Sequence, residues 1–430
     1  MFAVAFFLTV LMNALSAKSF FVNGAASVSG SGGDWSSPFL SITQAVDSAA
    51  FYTAQGVPVN IYVARGYYEG SYLLSGDVSV VGGLPNVSVG ADTVGAQPDL
   101  TVCSGVPPVF RIGAGAVSLS GLKVVSSVSA DEAAILCESS SFVRLVIRNS
   151  SLSGSMSGVL SGESSKGGVL LLDNCDVRDN RQPSLSGKSA IDLVGPYSLQ
   201  IAYPSMPETS HRSASVPSVG VRLFYHNESK KGGAISMSRC KSLQLENAWF
   251  LSNRSVDDSE VGGGAVFLDS VEYVEVKNSY FSFNRAANDG GAFFVKGSEL
   301  HAISSTFFSN DVGLEEKRQE KNYDGESFRG GGAVYAVSGS SLSFSDVCFR
   351  SNGFTAAAYG GAVAVVSSLL EMSDCAFFDN RATYGGGALF VYGDVQDSSR
   401  VGVENSSFVA NRQTSDSPYG GGALFSDRKS

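Results

Sequence analysis

The sequence predicts an all-β, right-handed parallel β-helix, a solenoid with a short N-terminal capping helix. Three observations predict it: two motifs that strictly alternate through the C-terminal half, intervals that suit one coil each, and a helical segment placed ahead of the first strands. Gly-Gly-Ala followed by an apolar residue occurs at Gly232-Gly233, Gly263-Gly264, Gly290-Gly291, Gly331-Gly332, Gly360-Gly361, Gly386-Gly387 and Gly421-Gly422. The successive intervals are 31, 27, 41, 29, 26 and 35 residues. Between them runs Phe-x-x-Asn, at Phe250 to Asn253, Phe281 to Asn284, Phe307 to Asn310, Phe349 to Asn352, Phe377 to Asn380 and Phe408 to Asn411. A degenerate pair lies upstream, where Gly167-Gly-Val169 precedes Val177-Arg-Asp-Asn180. A period of about 20 to 50 residues marks a solenoid or a propeller. A propeller blade needs four strands in about 40 to 45 residues, and most of these intervals are too short for it. The segments between motifs read as short alternating strands, for example Ala265-Val-Phe-Leu-Asp269 and Val271-Glu-Tyr-Val-Glu-Val276, which excludes helical repeats.

Each motif has a physical reason. Where a coil turns its corner the next coil lies one strand spacing away, and paired glycines permit positive φ with no side chain in the way of the stack. Gly-Gly-Ala is therefore expected at a corner. The Phe should point inward and stack on its counterparts, and the Asn at the following bend should form an amide ladder that satisfies turn backbone groups. The residue two before the Phe is small in most copies, Ala248, Ser279, Ser305, Cys375 and Ser406, with Val347 the exception. Cys175 holds that place in the degenerate copy, so Cys175 and Cys375 are expected in the core and Cys348, one position out, on the opposite face. The six cysteines (also Cys103, Cys137 and Cys240) are too sparse for a disulfide scaffold, and no pair has metal-ligand spacing.

The domains follow from this reading. Residues 1–17 form a signal peptide, on the apolar run Phe2 to Met12 and the small residue at Ala17, although no Lys or Arg precedes the run. Residues 18–180 hold the N-terminal cap and first coils. Here Ile42, Ala45, Val46 and Ala49 fall at helical spacing with Ser41 as N-cap, followed by strands at Val59 to Val63, Gly66 to Tyr68, Tyr72 to Leu74 and Val78 to Gly83. Residues 181–231 read as a Pro/Ser-rich loop or linker, and 232–430 as the repeat coils, either truncated at the C-terminus or carrying the repeat without an export device. Asp311 to Arg329, which contains Glu315-Glu-Lys-Arg-Gln-Glu-Lys321, lengthens its interval as a solvated loop at one corner would.

A formal charge of −10 and a pI near 4.9, with no long basic run, argue against an electrostatic grip on nucleic acid or anionic lipid. No segment after the leader is apolar for about 18 residues, so no transmembrane segment is expected. Asn-x-Ser sequons at Asn86, Asn149, Asn227, Asn253 and Asn405 would make a glycoprotein of the chain in a eukaryotic secretory route.

The alternation of Gly-Gly-Ala-(Ile/Val/Leu/Phe) with Phe-x-x-Asn resembles the repeats of the chlamydial polymorphic outer membrane proteins over roughly 167–430. Trp35 to Gly83 looks like the start of the pectin-lyase-like β-helices. The first resemblance implies a secreted or cell-surface adhesin, on the outer membrane if bacterial, whose partner is a host-cell surface protein or a glycan. Similar repeats occur in secreted proteins of protists. In the chlamydial family a C-terminal barrel exports the repeats, and this sequence shows no barrel strands before Ser430. The second resemblance implies the alternative, a carbohydrate-active enzyme acting on polysaccharide.

For catalysis the sequence offers little. Hydrolysis needs converging carboxylates and lyase action needs a cation or a basic group. The adjacent acidic pair Asp257-Asp258 reads as a solvated corner, the histidines are His211, His226 and His301, and His301 reads as a satisfied surface residue. No Ser-His-Asp signature, phosphate loop, zinc spacing or calcium repeat is present, so no catalytic residue, cofactor or metal is expected.

Overall fold

The computed structural model describes residues 17–85, 101–126, 132–156, 158–181, 188–204, 223–256, 262–313, 330–354, 357, 359–393, 399–415 and 420–428. They form two compact units, Met1–Asp176 and Val177–Ser430.

In the first unit, strand Lys18–Val22 begins directly after the expected cleavage point; residues 1–16 lie outside the described residues. The expected helix, α1, spans Ile42–Thr53 and buries Ile42, Ala45, Val46 and Ala49. Ser41 caps it in a capping box with Gln44, which satisfies backbone N–H groups that the first turn leaves open. α1 packs against strands Lys18–Val22, Val59–Ala64 and Tyr72–Leu74, with Phe20 edge-on to Tyr52 at 5.8 Å. The strands Val59–Ala64, Gly66–Glu69, Tyr72–Leu74 and Val78–Leu84 follow in the expected order. Each pairs in parallel with a strand one coil onward, as Val78↔Val117 and Tyr68↔Cys103 do. This is the stacking of a parallel β-helix.

The second unit repeats one coil. Its first sheet runs Tyr197–Ala202, Ser242–Glu246, Tyr273–Lys277, Glu299–Ile303, Ser341–Ser345, Leu369–Ser373, Arg400–Glu404. The second sheet runs from Ile191–Val194 to Leu424–Arg428 and carries the residues after Gly-Gly-Ala. The third runs from Phe224–Tyr225 to Ser407–Val409 and carries the repeat phenylalanines. All pairings are parallel and in register, for example Phe250↔Phe281↔Phe307↔Phe349↔Phe377↔Phe408.

Those rings stack as expected, at centroid distances of 4.9, 5.0, 5.0, 4.8 and 4.7 Å with interplanar angles of 13° or less. Phe250, Phe281, Phe307, Phe349 and Phe377 are buried, and removing each ring from water contributes roughly 2–3 kcal/mol. The residue before each ladder Asn turns the chain through positive φ, as Ser252, Phe283 and Ser309 do. The Asn that follows enters the ladder. Asn284 Nδ2 donates to Asn310 Oδ1 at 2.9 Å and to Phe250 O at 2.9 Å, and its Oδ1 accepts from the N and Nδ2 of Asn253. The pattern continues to Asn411 in one direction and to Asn180 in the other.

The glycine pairs act differently from the expectation that both relieve φ. Only the first glycine has positive φ, and only from Gly290 onward; Gly232 and Gly263 do not. The second is required by proximity. A Cβ on Gly264 would lie 2.0 Å from Gly291 O, and one on Gly233 2.3 Å from Gly264 O. The coil backbones close on each other at this corner, so no side chain fits.

The small residues before the Phe build a second ladder. Ser279 Oγ accepts from Ala248 N and donates to Lys277 O, and Ser305 Oγ repeats this one coil on. Cys375 stands in for serine, with Sγ 3.3 Å from Ser373 O. Cys175 and Cys375 are buried and Cys348 is half-buried, as the register requires. Ser298, Ser340, Ser368 and Ser399 form a third ladder between the second and first sheets.

Two expectations change. Residues 181–231 are not a plain loop: they carry strands Ile191–Val194, Tyr197–Ala202, Phe224–Tyr225 and Glu228–Ser229, while 182–187 and 205–222 lie outside the described residues. Phe224-Tyr-His-Asn227 is a further Phe-x-x-Asn copy. Phe224 stacks on Phe250 at 4.5 Å and Asn227 occupies the ladder. Its neighbouring prolines and serines obscured it, although the motif spacing was present. The second-sheet strands are also not alternating. Phe267, Phe294, Tyr335, Ala364, Phe390 and Phe425 occupy one outward column, and all but Phe425 are buried, with Tyr359 and Tyr384 packed against them. Continuous apolar runs such as Phe293-Phe-Val belong to strands covered on both faces.

Candidate functional site

The repeat residues singled out in the sequence are spent inside the coils or at their corners, so any site must be built from the outward positions of the strands. On the first sheet these positions bring charges together. Tyr273 neighbours Glu299 and Glu275 neighbours His301 on adjacent coils, since Val274 pairs with Leu300 and Glu275 with His301. Glu275 Oε1 accepts from the Tyr273 hydroxyl at 3.2 Å and from Lys277 Nζ at 2.7 Å. His301 Nε2 lies 2.7 Å from Glu299 Oε1, and the His301 ring sits 5.3 Å from that of Tyr273. Partial desolvation and then the Glu275 carboxylate hold the Tyr273 phenol above its ordinary range, and the hydrogen bond to Glu275 raises the Lys277 ammonium. Lys241 and Glu272 pair at the adjoining corner.

His301 is thus a partnered surface residue, as expected, but it belongs to a cluster that reading the chain in order did not assemble. Its members come from coils about one repeat apart and meet only through the register. Two carboxylates on neighbouring coils beside His and Lys could orient a hydroxylated ligand. Each carboxylate already accepts from a neighbour.

The outward side of the third sheet is apolar and cationic. Trp249 and Tyr280 pack at 4.9 Å, and Phe283 meets Phe308 edge-on at 5.4 Å. The Arg350 guanidinium lies 6.0 Å from the Phe308 ring and 5.5 Å from the Phe378 ring, and Arg381 covers Phe354 at 3.8 Å. Phe283, Phe354 and Phe378 remain 46%, 54% and 42% exposed.

The other candidates separate. His226, at positive φ, stacks on Tyr225 at 3.7 Å and lies 3.7 Å from Asp179; partial burial and then Arg181 lower its pKa against the pull of Asp179. His211, Asp257-Asp258 and the insertion from residue 314 to 329 lie outside the described residues. Asn227 and Asn253, two of the sequons, are buried with both Nδ2 hydrogens engaged, whereas Asn149 and Asn405 are exposed and Asn86 lies outside the described residues. No group of three His, Cys, Asp or Glu side chains is placed to hold a metal among the described residues, and none of their helices is long and apolar enough to cross a membrane.

The chain is a parallel β-helix. No family model and no curated protein matches this sequence. Among solved structures it is similar to the GH136 lacto-N-biosidase from Eubacterium ramulus, at 10% identity and a TM-score of 0.30, covering 91% of this chain and 67% of that one. It is likewise similar to pectate lyase Pel9A, at 13% identity and a TM-score of 0.30, covering 95% of this chain and 81% of that one. The β-helix is established by the strand register of the chain itself, and the function has to be argued from its own surface.

Proposed function

We propose that this is a secreted or cell-surface repeat protein that acts as an adhesin, binding glycans or protein surfaces along the outer faces of its coils without catalysis. The reading rests on one observation, exposed aromatic rings beside arginines along one stretch of the coils: Phe378 against Arg350 on the third sheet, Phe283 in the turn after it, and Phe354 under Arg381 at the following corner. Contiguous exposed apolar surface marks interaction sites, and aromatic and arginine side chains dominate the energetic centres of interfaces. The resemblance of the motif alternation to the chlamydial surface repeats points the same way. The test is retention on cell surfaces and on a glycan array of the purified chain and of Phe354→Ser and Phe378→Ser. Binding should fall at least about tenfold in the double variant, the loss expected when a central contact is removed. Unchanged retention would remove this aromatic and arginine surface from consideration.

The alternative is a carbohydrate-active enzyme, favoured by Glu275 and Glu299 on adjacent coils beside His301 and Lys277. Incubation with polysaccharides and detection of new reducing ends, with Glu275→Gln and Glu299→Gln as controls, separates the two readings. Release that both variants abolish would establish the enzyme in place of the adhesin.

A further inference from the structure

Arginine follows the ladder asparagine in most copies of the repeat: Arg181, Arg254, Arg285, Arg381 and Arg412 come directly after Asn180, Asn253, Asn284, Asn380 and Asn411. In the sequence these residues are scattered, and no basic run exists. The coil register places them in one column. Arg181 bridges to Glu228, Glu228 pairs with Arg254, Arg254 with Arg285, Arg285 with Asp311, and Arg381 with Arg412. The same backbone bond fixes each of them: Arg254, Arg285, Arg381 and Arg412 donate N–H to the Asn carbonyl one coil back. Ser255, Ala286 and Ala382, the next residues in three of these strands, are buried, so Arg254, Arg285 and Arg381 face outward, and Arg412 is itself exposed.

Among the described residues the column positions themselves hold five arginines and two acids, Glu228 and Asp311, on a chain whose formal charge is −10. Neutralisation along it is partial. Arg381 and Arg412 share the single carboxylate of Asp379, at 3.4 and 3.1 Å, and Arg285 Nε donates to Gly313 O. Arg254 is exposed and has no ion pair among the described residues. Neighbouring strands lie about 4.8 Å apart, so Arg254 and Arg285 form a pair of adjacent forks, as do Arg381 and Arg412. A guanidinium takes carboxylate or sulfate through two parallel hydrogen bonds. The column runs beside Phe354, which Arg381 already covers.

We propose that this arginine column is a binding track for an anionic polysaccharide, a sugar chain carrying carboxylate or sulfate at regular intervals, laid along the coil axis. The inference rests on the adhesin reading and names the glycan class it would hold.

The experiment measures binding of the full chain to immobilised dextran sulfate, polygalacturonate, neutral dextran and a random-sequence DNA duplex over a range of salt. The variants are Arg254→Gln/Arg285→Gln and Arg381→Gln/Arg412→Gln, with Lys123→Gln/Arg144→Gln in the first unit as a charge-matched control, each checked for an unchanged far-UV spectrum. The chain should bind one of the two anionic polysaccharides, and which one reports whether sulfate or carboxylate is recognised. Each column variant should bind it at least about tenfold more weakly, with the slope of log affinity against log salt reduced by about two, one per arginine removed. The control should match the unaltered chain. Equal losses in the control, no loss in the column variants, or no binding to either anionic polysaccharide would overturn the proposal. Equally tight binding to DNA would replace it with unselective polyanion attraction. Retention on cells that persists while both anionic polysaccharides fail would sink the column and leave the adhesin standing.

Discussion

Asn284 makes four side-chain hydrogen bonds inside the coil stack, two as donor and two as acceptor. Replacing it with Ala would strand the buried N–H of Asn253 and the carbonyl of Phe250, and buried unpartnered groups cost about 1–3 kcal/mol each. Asn284→Ala should therefore lower unfolding stability by about 3 kcal/mol or more in urea titration; an unchanged midpoint would remove the ladder from the account of stability. Gly264→Ala should be at least as damaging, because its Cβ would lie 2.0 Å from Gly291 O and backbone cannot step aside. Cys375→Ser should stay within about 1 kcal/mol of the parent, because Ser279 and Ser305 already fill the equivalent positions. Phe, Asn and Gly were legible from the sequence at this scale because each has one dominant physical use. The division of labour within the glycine pair was not, since it depends on how closely two coil backbones approach.

A strand in this molecule is defined as much by its neighbours one coil away as by its own residues. The outward column of the second sheet shows this. It runs through aromatic rings except at Ala364, and Tyr359, from the turn before Gly360, lies 4.7 Å from Phe390 beside that gap. Tyr359→Ala should cost about 3 kcal/mol, as for other buried large-to-small changes. Adding Ala364→Phe should recover part of the loss, measured as a coupling energy across the double-variant cycle, and strict additivity would contradict the filling role. The helix was readable in its start and buried face because capping and period agree on the same residues, while its last turn, to Thr53, lies past the apolar period. Phe224 to Asn227 escaped because a Pro/Ser-rich surrounding outweighed a correct motif, and the double-sided burial of the second sheet escaped because alternation was assumed where the apolar runs were continuous.

At the scale of the whole chain, buried thiols and phenols set its response to alkali. Burial pushes the Cys103, Cys137 and Cys240 thiols up to about 12 from an ordinary 9.0, and the Tyr280 phenol up to about 12 from 10.0. A group whose pKa is raised by folding keeps its proton in the folded state after the unfolded chain has lost it, so stability falls with pH across that interval. The stability these groups support is complete below pH 9 and should be lost progressively between about pH 9 and pH 12. Urea titrations at pH 7, 9, 10 and 11 test this, with a flat profile through pH 11 as the contrary result.

The sequence by itself determined the coil. A motif repeated at one-coil intervals states which residues stack, and stacking like on like is a local condition that each copy satisfies with its neighbour. Only the tertiary structure decided what the surface holds. Tyr273, Glu275, Glu299 and His301 become neighbours, and arginines about thirty residues apart become a column, because parallel register converts the repeat interval into one strand spacing. Charge counted along the chain suggested no grip on polyanions; charge counted along the axis gathers five arginines at one corner.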